Sequence, residues 1–175
     1  MPIKVLVVED ETDLEFLMTR KFRAQIRAGE LHFLFAANGV EALQQLERHP
    51  DIYVVLSDIR MPQMDGLTLL AHLNERYPLR RTIIISAYSD MANIRTAMNR
   101  GAFDFLTKPL DFKDLELTLK KTIRHVQQLL HEVNLDATDP KFTPFTAKIR
   151  QLAKEFQIEE IQEFIQHYLS GEGSS

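Results

Sequence analysis

Short apolar runs typical of buried strands alternate with segments of helical apolar spacing along the first 110 residues. This alternation constrains the fold more than any other feature of the sequence. Short runs of aliphatic and β-branched residues predict five buried strands, over residues 3–8, 31–36, 52–56, 82–85 and 103–106. Apolar residues at helical spacing predict a fifth helix beginning after Leu110 and four earlier ones, over residues 11–26, 40–46, 66–76 and 91–99. Because parallel neighbours require crossover connections, the pattern predicts an α/β domain with a doubly wound parallel sheet in the order 2-1-3-4-5.

The predicted fifth helix carries a heptad-like row of apolar positions that runs beyond the length needed to cover a sheet. Its members follow one another in steps of four and three residues: Leu115, Leu119, Thr122, Val126, Leu129 and Val133. We expect the first half to pack on the sheet. The second half, Val126, Leu129 and Val133, is predicted to form an exposed seam that pairs with a second copy of the chain or docks a partner. The alternative is that the whole row packs on the domain itself.

The composition changes after this helix, where prolines, aspartates and threonines interrupt the periodic pattern. We predict a sheet-containing domain over residues 1–124 and an extension of its last helix over residues 125–135. A linker over residues 136–144 then leads to a helical pair or a single helix over residues 145–170, and residues 171–175 form a disordered end.

Charge and composition narrow the classes of partner. The 175 residues carry a formal net charge of −4 and include no cysteine, which excludes disulfides, thiolate metal sites and a cysteine nucleophile. Residues 136–175 hold seven acidic and four basic residues, so no phosphate-binding footprint is predicted there and we expect no nucleic-acid partner. Without a signal peptide or a membrane-length apolar run, the sequence indicates a cytoplasmic protein with no membrane partner.

Polar residues follow four of the predicted strands. Glu9 and Asp10 follow the first, Asp58 the third, Ser86 the fourth and Lys108 the fifth. Ligands of doubly wound sheets bind where the strands end, so these side chains are expected to meet. Close carboxylates repel one another unless a cation neutralises them, and hard oxygen ligands suit Mg²⁺. A carboxylate beside Mg²⁺ is able to attack a phosphoryl group, whose charge the lysine and hydroxyl then stabilise.

Each of these residues alone has a simpler interpretation. Glu9 and Asp10 are favoured at a helix start by the helix dipole, and Asp58 alone is typical of a turn. Ser86 alone is typical of a helix cap, and Lys108 of a solvated surface. Their joint occurrence, in order and each at a strand end, favours the shared site.

The sequence resembles response-regulator receiver domains, the CheY-like members of the flavodoxin-like α/β proteins, over about residues 3–122. Any one of the matching segments is short, and the specificity comes from their order. The resemblance is carried by Glu9-Asp10-Glu11, Asp58 with Met61-Pro62-Gln63-Met64-Asp65-Gly66, Ser86-Ala87, and Phe105-Leu106-Thr107-Lys108-Pro109.

The resemblance implies a role for each matching residue. Asp58 would be the phosphoryl acceptor, and Mg²⁺ would be held by Glu9, Asp10, Asp58 and the backbone carbonyl of Arg60. Ser86 and Lys108 would contact the phosphoryl group, and the bond between Lys108 and Pro109 would be cis. Ser86 and Phe105 would form the switch, with Ser86 moving toward the phosphoryl group and Phe105 turning inward behind it.

Three positions depart from the commonest family pattern. Glu9 stands where aspartate is usual, Ser86 where threonine is usual, and Phe105 where tyrosine is often found. Phe105 lacks a hydroxyl, so its inward position would depend on packing alone. None of the three changes removes a chemical role from the site.

The resemblance implies a response regulator of a two-component system, with a sensor histidine kinase or phosphotransfer protein upstream and a protein partner downstream. It implies no enzyme activity beyond the domain's own Mg²⁺-dependent phosphorylation and dephosphorylation. The alternative is a phosphorylation-independent adaptor that uses the fold as a binding scaffold. A metal-dependent phosphatase is a more remote reading, because no second carboxylate follows Asp58 at D-x-D spacing.

Overall fold

The computed structural model describes residues 2–138. Within them, five parallel strands form one sheet, in the order β2-β1-β3-β4-β5. The strands are β1 Ile3–Val8, β2 Leu31–Ala36, β3 Ile52–Asp58, β4 Arg81–Ala87 and β5 Asp104–Lys108. The predicted fold class and strand order are confirmed. Strands β3, β4 and β5 continue past their predicted ends, so that Asp58, Ser86 and Lys108 belong to the strands themselves.

Both faces of the sheet are buried, which explains why the strands are continuous apolar runs rather than alternating ones. On one face, Leu6, Val8 and Val55 pack with Leu46 and Leu69 from two of the helices. Strand residues of the opposite parity point to the other face and are buried as fully, among them Val5, Val7, Val54 and Leu56.

Within residues 2–138, six α-helices connect and follow the strands, where the sequence analysis predicted five. They are α1 Asp13–Lys21, α2 Arg23–Arg27, α3 Gly39–Arg48, α4 Gly66–Arg76, α5 Met91–Asn99 and α6 Phe112–Thr138. The helix predicted over residues 11–26 is divided into α1 and α2 at Phe22, although the Phe22 amide still donates to Met18. The Phe22 side chain is buried and its ring lies 5.4 Å from that of Phe33. No proline or glycine lies at this break, which coincides instead with the packing of Phe22 into the core.

On helix α6, Val126 of the predicted exposed seam is buried. Val126 is 4% exposed and therefore belongs to the buried row that contains Leu115, Leu119 and Thr122. The reason is geometric, because steps of four and three residues keep Val126 on the same helix face as these three. Leu129 is half-buried. The side chain of Val133 lies outside the described residues.

Residues Met1–Gln127 form one compact unit, and a second unit begins within α6 at Gln128. The helix runs through Thr138, so residues 136–138, predicted as linker, are helical. The rest of that linker, the helices predicted over residues 145–170 and the end at residues 171–175 lie outside the described residues. In the part of the chain from residue 2 to residue 138, no helix has the length and hydropathy needed to cross a membrane.

Candidate functional site

The candidate site lies at the carboxyl edge of the sheet, where the register of the strands brings the predicted residues together. Asp58 is the last residue of β3 and pairs with Ile85, the neighbour of Ser86 in β4. Lys108, the last residue of β5, pairs with Ala87. Glu9 follows β1, and its amide donates to Ala36 of the adjacent strand. Four strands thus supply the site.

Glu9, Asp10 and Asp58 form an acidic cluster in which one carboxylate oxygen from each residue lies within 4.8 Å of the others. Asp58 is 6% exposed, and the Glu9 side chain is 4% exposed. Oε1 of Glu9 is buried and has no hydrogen-bond partner among the described residues. Hard oxygen donors, one of them buried and unpartnered, fit Mg²⁺, which binds through one or two carboxylates and retains positions for water and phosphate.

Lys108 contacts two of the three carboxylates of this cluster. Its Nζ lies 2.5 Å from Oδ2 of Asp58 and 2.8 Å from Oε2 of Glu9. Burial lowers the pKa of Lys108, but the hydrogen bonds to the two carboxylates outweigh it, and the pKa lies above its ordinary value. Lys108 is therefore a fixed positive charge in contact with the carboxylate of Asp58.

Glu9 has the strongest electrostatic perturbation of the site. Burial, reinforced by the charge of Asp58, raises the pKa of Glu9 from 4.5 to about 7, although the hydrogen bond from Lys108 opposes this. A carboxyl group that resists ionisation in this way is stabilised in its charged form by a bound cation. The raised pKa and the unpartnered oxygen of Glu9 both fit a cluster whose carboxylates would bind a cation.

Asp90 belongs to the site although the sequence analysis did not select it. The hydroxyl of Ser86 donates to Oδ2 of Asp90 at 3.3 Å, and Nε of Arg60 donates to the same oxygen at 3.2 Å. Asn93 donates to the other oxygen at 2.8 Å. Asp90 lies on an irregular 3-10 turn, Tyr88–Asp90, where no periodic pattern identifies it.

The backbone of the loop after β3 closes around Asp58. The amide of Arg60 donates to Oδ1 of Asp58 at 3.2 Å. Gly66 approaches so closely that a Cβ there would lie 2.0 Å from the backbone oxygen of Asp58. An open groove of about 440 Å³ adjoins the cluster, and its lining includes Asp10, Arg60 and Asn93.

The structure unites most of the predicted site residues but not all of them. Glu9, Asp10, Asp58 and Lys108 meet in one cluster, and the backbone of Arg60 borders it. The Ser86 hydroxyl is directed to Asp90, and Phe105 is 36% exposed, so its ring does not occupy the inward position. The peptide bond between Lys108 and Pro109 is cis. Val126 and Leu129 lie on α6, outside the site.

Comparison with known proteins agrees with this geometry. Residues 5–120 match the family model described as the response regulator receiver domain. The DNA-binding transcriptional regulator NtrC of Escherichia coli (strain K12) is 37% identical over 137 residues, which cover 78% of this chain but 28% of NtrC. The chain therefore spans little more than a quarter of that relative.

Two solved structures show the same similarity. The signal receiver domain of an HD domain-containing protein from Pseudomonas fluorescens Pf-5 superimposes with a TM-score of 0.68 and 27% identity, over 74% of this chain and 93% of that one. A chain of the CheX-CheY-BeF3-Mg+2 complex from Borrelia burgdorferi superimposes with a TM-score of 0.62 and 30% identity, over 70% and 90% of the two chains.

Proposed function

The chain belongs to the response regulator receiver domain family, and on this premise we propose that it accepts a phosphoryl group on Asp58 from a sensor histidine kinase or a phosphotransfer protein. One observation carries the proposal. The Asp58 carboxylate contacts a fixed cation, Lys108, and lies beside the acidic pair Glu9 and Asp10, with which it fits Mg²⁺. This arrangement suits a nucleophilic carboxylate whose attack on phosphorus builds up negative charge.

The proposed transfer begins at the open groove beside the acidic cluster. A phosphohistidine or small phosphodonor enters through the open groove beside Asp10 and Arg60. One oxygen of Asp58 bonds to phosphorus while the phosphorus–nitrogen bond of a phosphohistidine donor breaks, and the electron pair leaves with the imidazole nitrogen. Glu9, Asp10, Asp58 and the backbone carbonyl of Arg60 would hold Mg²⁺, which would neutralise charge on the phosphoryl oxygens when bound.

Lys108 and Ser86 then contact the new group. Lys108 already lies against Asp58, so its ammonium needs little movement to donate to a phosphoryl oxygen. Ser86 is buried but directed at Asp90, so it has to turn toward Asp58. That movement opens space for Phe105, which starts partly exposed, and the two side chains form a two-state switch.

The output is proposed to act through protein contacts. The seven acidic and four basic residues of segment 136–175 give no phosphate-binding footprint, which supports a protein partner over nucleic acid. NtrC is named as a DNA-binding regulator, and the matched region covers 28% of its length. Binding of fluorescently labelled duplex DNA at low salt by the full chain would contradict this part of the proposal.

Intact mass spectrometry after incubation with acetyl phosphate tests the phosphorylation. We expect a single phosphoryl adduct on the wild type, formed with Mg²⁺ and absent without it. Asp58→Asn should abolish the adduct. Asp51→Asn is the matched control, because Asp51 also pairs with a lysine, Lys4, but lies outside the acidic cluster. A folded wild type without an adduct would favour the phosphorylation-independent adaptor.

A further inference from the structure

Asp90 is a shared acceptor at the edge of the phosphorylation site. One of its oxygens, Oδ2, receives both the Ser86 hydroxyl and Nε of Arg60, while Asn93 holds the other oxygen. The Asp90 side chain is 8% exposed, and Ser86 is 1% exposed. The two donors that converge on one carboxylate oxygen are therefore a buried hydroxyl and a guanidinium.

Both donors also border Asp58. Ser86 lies next to the residue that pairs with Asp58 across the sheet, and the Arg60 amide already donates to Oδ1 of Asp58. The Arg60 side chain is 72% exposed, so little packing surrounds its guanidinium. The contact with the Asp90 carboxylate is therefore what holds it in place. A hydroxyl has one proton to donate, and thus Ser86 is unable to serve Asp90 and a phosphoryl oxygen at once.

We propose that Asp90 is a positioning residue that sets the balance of the switch, because its Oδ2 competes with the phosphoryl group on Asp58 for Ser86 and Arg60. The inference rests on the proposed phosphorylation of Asp58. In the resting protein, Asp90 holds both donors. When Asp58 carries a phosphoryl group, its oxygens take the Ser86 hydroxyl and draw the Arg60 guanidinium away from Oδ2 of Asp90.

Asp90→Asn tests this competition with little change in shape. The asparagine oxygen still accepts from Asn93, which places its amide nitrogen where Oδ2 stood. That nitrogen donates, so it no longer accepts from Ser86 or Arg60. We expect the variant to bind beryllofluoride in the presence of Mg²⁺ about ten- to one-hundred-fold more tightly than the wild type, the range for loss of one competing charged hydrogen bond.

Two further variants act as controls. Asp51→Asn alters the net charge by the same amount at a carboxylate outside the site and should have no effect. In the Ser86→Ala background, Asp90→Asn should lose part of its effect, because Arg60 is then the one competing donor left of the two.

Nuclear magnetic resonance follows the contact itself. The Nε–H signal of Arg60, assigned by its loss in Arg60→Lys, should shift when beryllofluoride binds to the wild type. The chemical shift of this signal in the beryllofluoride-bound wild type should approach its chemical shift in ligand-free Asp90→Asn. If the signal does not move, or if Asp90→Asn binds beryllofluoride no more tightly than the wild type, the inference is wrong. If the wild type forms no beryllofluoride complex and no phosphoryl adduct, the proposed phosphorylation itself fails.

Discussion

Glu9 is the carboxyl group of the site whose ionisation the folded protein most clearly disfavours. Its pKa rises from 4.5 to about 7, chiefly by burial and then by the charge of Asp58. The folded protein therefore binds more protons at this position than the unfolded chain between about pH 4.5 and 7. Across that window the contribution of Glu9 to stability falls as the pH rises.

Chemical denaturation between pH 4.5 and 7.5 in chelator-treated buffer measures this contribution. The free energy of unfolding should decline with rising pH, by about 1–2 kcal/mol after allowance for screening by solvent and Lys108. Glu9→Gln should flatten the decline, and Mg²⁺ should stabilise the wild type more at pH 7.5 than at pH 5. Glu116→Gln is the control, since the hydrogen bond from Lys120 lowers the pKa of Glu116. An unchanged slope in Glu9→Gln would contradict the assignment.

At the same scale, sequence reasoning selected Asp58, Asp10, Lys108 and Ser86 because they follow apolar runs whose ends a parallel sheet must align. It did not select Asp90. Asp90 acts by accepting the hydrogen bond of the Ser86 hydroxyl. Tertiary contacts fix the rotamer of such a side chain, so no spacing pattern in the sequence identifies its partner.

At the scale of elements, α3 and α4 begin in the same way but in different surroundings. Gly39 and Gly66 are the first residues of their helices. The capping side chains accept hydrogen bonds from backbone amides, Asn38 from that of Glu41 and Asp65 from that of Thr68. A Cβ at Gly39 would meet the flexible side chain of Met64, whereas a Cβ at Gly66 would meet the backbone of Asp58. A side chain at Gly39 would therefore displace another side chain, whereas one at Gly66 would displace the backbone.

Gly66→Ala is expected to lower the free energy of unfolding by about 2–3 kcal/mol, because the loop around Asp58 must shift to admit a methyl group. Gly39→Ala should cost less than about 1 kcal/mol, since Met64 is able to change rotamer and alanine favours the helix. Urea denaturation of both variants measures the difference. Equal stabilities would show that the contact between Gly66 and Asp58 does not constrain the loop.

The elements themselves were mostly predictable, and the failures share a cause. Strand identity and order followed from apolar runs and the crossover rule. The division at Phe22 and the burial of Val126 did not, because both depend on where a side chain meets the rest of the core. Periodicity identifies which face of a helix is apolar but not how much of its length is covered.

At the scale of the whole molecule, assembly through α6 remains a prediction that the burial of Val126 modifies. The predicted seam contained Val126, Leu129 and Val133, and Val126 is now assigned to the core of the unit formed by residues Met1–Gln127. Pairing between two copies of the chain would then depend on the turns of α6 beyond Gln127, where Leu129 is half-buried.

Two alanine substitutions three residues apart on α6 separate folding from assembly. Val126→Ala should lower the free energy of unfolding by about 2 kcal/mol and leave the association of folded chains unchanged. Leu129→Ala should do the reverse, raising the dimer dissociation constant about ten-fold while costing less than about 1 kcal/mol in the monomer. Sedimentation velocity over a concentration series, with and without acetyl phosphate and Mg²⁺, and urea denaturation give the two readouts. A wild type that sediments as a monomer at every concentration in both conditions would rule out pairing through α6, and its half-buried Leu129 would then serve the chain's own fold or a different partner.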